Sequence, residues 1–357
     1  MIRADLECDL KKRGWYSGDA HLHTTYSDGK QTVEEIGKSL REANLNWAVL
    51  TDHNTLKGKE EWLNGKRDEF IPIMGEEITT KFGHFNGINI KEFINPQTSE
   101  GLKDIKRIFE EIHSQGGLVQ INHPLTKGLS YQGWEVSDYD LLEIWNGLTA
   151  PNLPGMGNYE AKLKWFDILN SGKRLAATAN SDTHDVLLPQ YVGNLIYAPL
   201  KITLKKIPHA WKNFVRENIA SIQLWARRGI GIGMPRTYLY LPKLTLQNIL
   251  IALKRGNSFL SNGPLLLINV NGKIPGERID LQTKEKLILR VKLCSFQSIN
   301  LIKIIKDGLV IDRCKLPQGT KKFELSLELK EQGPGWLVVE CYGSYPFYAI
   351  TNPVYFD

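Results

Sequence analysis

Short apolar runs separated by amphipathic stretches fill the first half of the chain. β-branched and aromatic residues cluster over Gly14–His23, Trp47–Asp52, Ile71–Glu77, His84–Ile90, Leu118–Asn122, Leu141–Asn146 and Arg174–Asn180, and each run predicts a strand. Between several of them the apolar period lengthens to three and four residues. Val33–Ala43 follows Thr32 with Glu35 three residues on, the spacing of a capping box. Leu102–Gln115 carries Ile105, Ile108, Phe109 and Ile112 on one face and stops at Gly116-Gly117, and Tyr159–Asn170 carries a similar stripe that stops at Gly172. Alternating strand and helix builds parallel sheets from βα units, so the pattern predicts an α/β fold, a distorted (β/α)7 barrel over residues 1–261.

The pattern changes after His184. Lys201–Arg228 is basic and carries Trp211, Phe214, Val215, Ile219, Ile222 and Trp225 at helical spacing, which predicts an amphipathic helix in an insert of about residues 186–232. Such a helix packs on the barrel wall or lies over the site. Thr245–Arg255 predicts one more helix, ended by Gly256. From Asn262 the period shortens to two. Phe323, Leu325, Leu327 and Leu329 alternate with Glu324, Ser326, Glu328 and Lys330, while Asn271-Gly272 and Asp307-Gly308 fall between apolar runs as hairpin turns. An all-β sandwich over residues 262–357 is expected.

Composition narrows the class. With 42% hydrophobic and 24% charged residues the chain is globular, neither disordered nor fibrous. No apolar run reaches the roughly eighteen residues of a membrane span, and MIRADLECDLKKRGWYSGD has no apolar stretch fit for a secretory signal, so a cytoplasmic protein is expected. Cys8, Cys294, Cys314 and Cys341 are too scattered for a disulfide framework or a thiolate cluster, which leaves nitrogen and oxygen to hold any metal. A formal charge of +6 without a basic block is weak evidence for a nucleic-acid partner, although nucleic acid stays open as a substrate.

The chain has eight histidines, and His21, His23, His53, His84, His123 and His184 all fall at or just past the end of an expected strand. In a barrel of parallel strands those ends converge on one face, where residues distant in sequence share a pocket. His21 and His23 project from the same side of one strand, because side chains alternate with period two, and Asp182 and His184 repeat that spacing. Carboxylates sit nearby at Asp19, Asp28, Asp52, Glu76, Glu77 and Asp182. Mixed imidazole and carboxylate ligation suits Zn, Mn or Fe. His113, on a helix, and His209, in the insert, fit no strand end and are assigned to structure.

The motifs GDAHLHTTYSDG at 18–29, LTDHN at 50–54, GEEITT at 75–80, GHFNG at 83–87, NHP at 122–124, EIWNG at 143–147 and NSDTH at 180–184 together resemble the PHP (polymerase and histidinol phosphatase) metallohydrolases. The branch they look like is CehA/McbA. GMPRTYLY at 233–240, SNGPLLL at 261–267 and TNP at 351–353 extend the likeness, whereas the stretch from Asp185 to Gly233 looks longer than this branch leads one to expect. The resemblance implies two or three divalent ions: one on His21, His23, Glu77 and Asp182, a second on Asp28, His53 and His184, and a third on His84 and His123 with Glu77 bridging. By alternation alone either Glu76 or Glu77 faces inward; the family's Gly-x-Glu pattern assigns Glu77. That leaves Glu76 beside the ligands, with Asp19 and Asp52 to orient the imidazoles. Glu143 fits a structural role as well as a functional one.

Ions so placed would give a hydroxide near neutral pH and polarise an electrophile, so hydrolysis is the expected reaction. A phosphoester is the expected substrate class, with amide, carbamate or carboxyl ester cleavage as the alternative on the same site and a non-catalytic metal-containing binding protein as a third reading. Lys81, Lys127 and Arg236 lie near the motifs and are candidates to bind phosphate oxygens of a small anionic substrate.

Overall fold

The apolar runs of the first half form seven strands, β1 (Trp15–Asp19), β2 (Trp47–Leu50), β3 (Ile71–Thr80), β4 (Gly83–Ile88), β5 (Leu118–Ile121), β6 (Leu141–Asn146) and β7 (Ala176–Asn180). The structure is a computed structural model that describes residues 10–65, 69–186, 231–282, 286–330 and 333–357. The basic stripe from Lys201 to Arg228 lies outside the described residues, as do His209 and Cys8. The seven strands are hydrogen-bonded in sequence order. β1–β2, β2–β3, β5–β6 and β6–β7 are parallel, as βα units require.

β4 departs from the expectation, since it runs antiparallel to both β3 and β5. The cause is loop length. Only Lys81 and Phe82 separate Thr80 from Gly83, which pair across a hairpin, whereas a parallel crossover needs a dozen residues or more. Gly83 makes this turn at a φ of +110°, and a Cβ there would stand 2.8 Å from the Tyr131 Cα. The expected strand Gly14–His23 also stops early, at Asp19. Its continuation meets the continuation of β7: Leu22 and Thr183 form a parallel bridge, His23 N–H donates to Thr183 O at 3.1 Å and Asp182 N–H donates to His21 O at 3.0 Å. The first and seventh strands are thereby joined just where the histidine motifs begin.

The helices follow the patterning. In α1 (Val33–Glu42) both halves of the Thr32/Glu35 capping box are made. The short α2 (Lys59–Asn64) was not legible from its pattern, and it buries only Trp62. α3 (Leu102–Ser114) buries the stripe of Ile105, Ile108, Phe109 and Ile112, α4 spans Asn158–Asn170, and α5 (Leu246–Arg255) ends on Gly256 at a φ of +73°. No described helix is long and apolar enough to cross a membrane.

Beyond residue 230 the described chain is largely β: β8 (Arg236–Tyr240), β9 (Ser258–Ser261), β10 (Leu265–Val270), β11 (Arg278–Ile279), β12 (Leu287–Cys294), β13 (Ile299–Lys306), β14 (Leu309–Lys315), β15 (Lys322–Leu329), β16 (Gly335–Gly343), β17 (Tyr348–Thr351) and β18 (Val354–Phe356). The large sheet continues from β1 through β8, β9 and β17 into β16 and β18, while β10, β12 and β15 form a separate sheet. Leu289 and Val291 of the small sheet share an apolar core with Ile302, Ile304, Leu337 and Val339 of the large one, and with Trp15, Tyr238 and Phe259. β15 shows the expected alternation, and Asp307-Gly308 turns β13 into β14 with both residues at positive φ.

Candidate metal centre

Six histidines from five places in the chain meet at the continued ends of β1, β2 and β7, the β3–β4 hairpin and the loop after β5. Leu22 lies in an apolar cluster with Val33 and Ile36, so its neighbours His21 and His23, both fully buried, face the other way together. His84 starts β4 instead of ending a parallel strand. Because β4 is antiparallel, its start lies beside the end of β3, which returns His84 to the common face. His123 (φ +27°) and Asp182 (φ +51°) hold backbone conformations that non-glycine residues rarely adopt, a strain that clusters at functional sites.

Four atoms define the innermost group. His21 Nε2 lies 3.1 Å from Glu77 Oε2 and 3.3 Å from Asp182 Oδ1; His23 Nε2 lies 3.2 Å from each of the same two oxygens. All four are buried and none has a hydrogen-bond partner. A tetrahedral ion with ligands at about 2.0–2.1 Å would space them about 3.3 Å apart, so the donor set fits a divalent cation in kind and in spacing. A second group, His23, Asp28, His53 and His184, opens toward solvent: His184 Nε2 is 3.3 Å and His53 Nε2 3.6 Å from the Asp28 carboxylate, whose side chain is 58% exposed. A third joins His53, Glu77 and His84, with His84 Nδ1 3.2 Å from Glu77 Oε1. Here His53 stands where the resemblance put His123. The His123 ring still reaches Glu77, with Nε2 3.3 Å from Oε1, and leaves its buried Nδ1 unpartnered.

Burial opposes charge on these groups, and their mutual attraction overrides it. His21 is desolvated, yet Asp182, Glu77 and Glu143 hold its pKa well above the usual imidazole value; His23 is raised to about 9 by Asp182 and Glu77 against the same penalty. Burial would raise Glu77 and Asp182, but His21 and its neighbours hold both below the usual carboxylate range. At the more open group burial prevails and lowers His53 to about 4. A cation bound here would compete with protons for these imidazoles, so its loading would strengthen as pH rises.

Carboxylates around the ligands divide differently from the sequence expectation. Asp19 and Asp52 do not touch imidazoles. Asp19 accepts from the backbone N–H of His21, Ser181 and Gly233, and burial raises it to about 6; Asp52 accepts from Thr24 N–H at 2.7 Å, Thr24 Oγ1 at 2.6 Å and Ser27 Oγ at 2.7 Å. They tie down the loops that carry the ligands. Glu76 faces away from Glu77, as alternation demands, and accepts from Ile94 N–H at 3.0 Å; burial raises it to about 7. The imidazole-orienting carboxylate is Glu143, fully buried, with Oε1 3.1 Å from His21 Nδ1 and Oε2 accepting from His123 N–H at 2.7 Å. Asn146 donates to Asp182 Oδ2 at 2.8 Å and to Glu143 Oε2 at 3.1 Å. Glu143 and Asn146 are three residues apart and would face opposite sides of a regular strand. The register of β6 against β7 shifts between Glu143 and Trp145, which lets both face inward. Thr79 Oγ1 sits 2.7 Å from His53 Nδ1.

The candidate substrate contacts fare unequally. Arg236 is 1% exposed, with Nε donating to Gly233 O at 2.8 Å and Nη1 to Ala43 O at 3.0 Å, so its guanidinium serves the fold and not a phosphate. Lys81 and Lys127 are exposed. His113 pairs with Asp140 at 2.7 Å on α3, away from the cluster.

No protein-family model matches the chain, and neither does any curated protein. Solved structures similar to it include a two-domain protein from Bacteroides vulgatus containing a predicted PHP-like metal-dependent phosphoesterase, at 16% identity over 91% of this chain and 90% of that one, with a TM-score of 0.47. An amidohydrolase from Chromobacterium violaceum is similar at 15% identity over 47% of this chain and 87% of that one, with a TM-score of 0.34. At such identity and superposition the functional case rests on the donor cluster itself.

Proposed function

We propose that this chain is a metal-dependent phosphoesterase of the PHP type, built on a distorted (β/α)7 barrel to about residue 261 and completed by a C-terminal β-sandwich. The observation that carries the reading is the innermost group: four buried, unpartnered donor atoms on His21, His23, Glu77 and Asp182 at ligand spacing. Divalent Zn, Mn or Fe held there would supply an activated water and draw charge from the electrophile. The protein's part is positional. Glu77 is shared between the innermost and third groups and His23 between the innermost and solvent-facing ones, Glu143 fixes the tilt and tautomer of His21, and Asp28, His53 and His184 present the solvent-facing side where a small substrate enters.

Charge selects the substrate class. Three divalent ions exceed the negative charge of Asp28, Glu77, Asp182 and the adjacent Glu143, leaving a surplus for a phosphate ester. Two ions would only balance those four carboxylates, and the buried Glu143 is the observation that keeps carboxyl, carbamate or amide cleavage as the second reading. The test compares kcat/KM for a phosphoester and a carboxyl ester with one leaving group, with inorganic phosphate as inhibitor. Faster phosphoester cleavage with competitive inhibition is expected; faster ester cleavage untouched by phosphate would transfer the assignment to the second reading.

A further inference from the structure

Beneath the ligating atoms lies a layer of buried polar side chains that the proposed chemistry does not itself use: Gln120, Asn122, Asn86, Thr178, Asn180 and Asn146, each at most 1% exposed. Its hydrogen bonds run in one direction, fixed at the edges by groups that only accept or only donate. Asn122 Nδ2 faces the Glu77 carboxylate, Oε1 at 2.9 Å, so the nitrogen must be on that side. Asn86 Nδ2 donates to Ala20 O at 2.9 Å, so its Oδ1 is the acceptor for Asn122 Nδ2 at 2.7 Å. On the other side Asn180 Oδ1 accepts from Ala20 N–H at 2.9 Å, which turns its Nδ2 toward Glu143 Oε1 at 2.9 Å.

Both branches end on Gln120. Asn122 Oδ1 takes its donor from Gln120 Nε2 at 2.9 Å, and Gln120 Oε1 accepts from Thr178 Oγ1 at 2.9 Å and, more distantly, from Asn180 Nδ2 at 3.4 Å. The orientation required by Glu77 and the one required by Glu143 are therefore consistent only with a residue that donates on one side and accepts on the other. A carboxylate cannot do this, because it would set an acceptor against Asn122 Oδ1.

We propose that Gln120 is a positioning residue for the metal centre. Without touching a ligand atom, it links the two branches, donating to Asn122 Oδ1 and accepting from Thr178 and Asn180, and so holds Asn122 against Glu77 Oε1 and Asn180 against Glu143 Oε1, leaving Glu77 Oε2 and His21 Nε2 aimed at one point. The inference rests on the reading of the cluster as a metal centre.

The test measures Zn and Co(II) affinity by chelator competition, and the visible spectrum of the Co(II)-loaded protein, in mildly alkaline buffer for wild type, Gln120→Glu, Gln120→Met and Thr178→Val. Gln120→Glu and Gln120→Met are expected to weaken the tightest ion about 10–100-fold and to shift the Co(II) bands, as loss of outer support for a ligand does. Thr178→Val keeps the donor to Asn122 and should lose only a few-fold; it also serves if the Gln120 variants do not fold. Lower thermal stability alone would accompany a purely structural role as well, so affinity and spectrum decide. Wild-type affinity and spectrum in the folded variants would overturn the inference while leaving the metal centre intact. A wild-type protein that binds neither ion would overturn the metal reading itself, and the inference with it.

Discussion

Where β1 to β7 meet at the histidine cluster, the buried side chains include His21, His23, Glu77, Asn122, Glu143, Asn146, Asn180 and Asp182; between the C-terminal sheets they include Leu289, Val291, Ile302, Ile304, Leu337 and Val339. The second interior is stabilised simply by removing apolar surface from water. The first incurs a desolvation cost for every polar group it encloses, and only bonding offsets that cost. Each amide nitrogen and oxygen of Asn86, Gln120, Asn122, Asn146 and Asn180 has at least one hydrogen-bond partner. Among the described residues, most of the unpartnered buried side-chain atoms lie instead on His21, His23, Glu77, His123 and Asp182, where a cation would relieve the residual cost; the others are on Glu76, Asn152 and Tyr345. That difference, and not the strand content the two regions share, separates the region proposed to do chemistry from the rest of the molecule.

The sharpest way to break the comparison is to remove ligands from the polar interior. His21→Ala with His23→Ala should abolish turnover and remove the innermost ion, as read by elemental analysis, while the near-ultraviolet signature of the C-terminal sheets persists. A variant that keeps its full metal complement would show that the cluster is not the binding site.

A charged pair is buried where α4 packs on β16, on the face of that strand turned away from the C-terminal core, and it marks the next prediction. Lys162 on α4 and Glu340 on β16 pair at 2.6 Å, both nearly buried, with Tyr348 donating to the same carboxylate oxygen at 2.7 Å. Lys162→Met leaves Glu340 without its cation and should cost about 3–5 kcal/mol in denaturant unfolding. Metal affinity should not change if the two regions are energetically separate; a parallel loss of affinity would show that α4 transmits the damage through Asn158 and Asn146, which bond each other at 2.9 Å.

A smaller effect comes from Glu76, whose folded-state pKa is raised by burial from 4.5 to about 7. The folded state binds its proton more tightly than the unfolded chain does, so this stabilisation is complete below pH 4.5 and is lost as pH rises through 7. The full swing is at most about 3 kcal/mol. In metal-free protein, Glu76→Gln should therefore gain stability relative to wild type as pH increases over that window. A difference between the two that stays flat with pH would mean that Glu76 titrates normally.

Sequence patterning showed the strands and helices well wherever apolar spacing alone decides them, as in the α3 stripe and the alternation of β15. Direction was another matter, because a run such as His84–Ile90 reads the same whether its strand is parallel or antiparallel; only the two-residue gap before Gly83 carried that signal. The clustered histidines were legible because several motifs had to converge on one face. Glu143 was visible but ambiguous, and Asn146 was missed, because the register shift in β6 breaks the period-two rule that assigns strand faces. Asp19 and Asp52 adjoin the motifs in sequence yet serve backbone amides and hydroxyls, since adjacency does not say which way a carboxylate turns. Arg236 shows the same limit: proximity to a motif did not reveal that its buried guanidinium donates to Gly233 and Ala43.

The central claim is that the polar interior is a metal centre, and the most direct test is elemental analysis of the full chain purified without chelators, followed by titration with Mn and Zn. The account predicts two or three equivalents of transition metal bound per chain, with hydrolytic activity that disappears on chelation and returns on re-addition. Protein that is folded, contains no transition metal and gains neither bound ions nor activity from added Mn or Zn would contradict it.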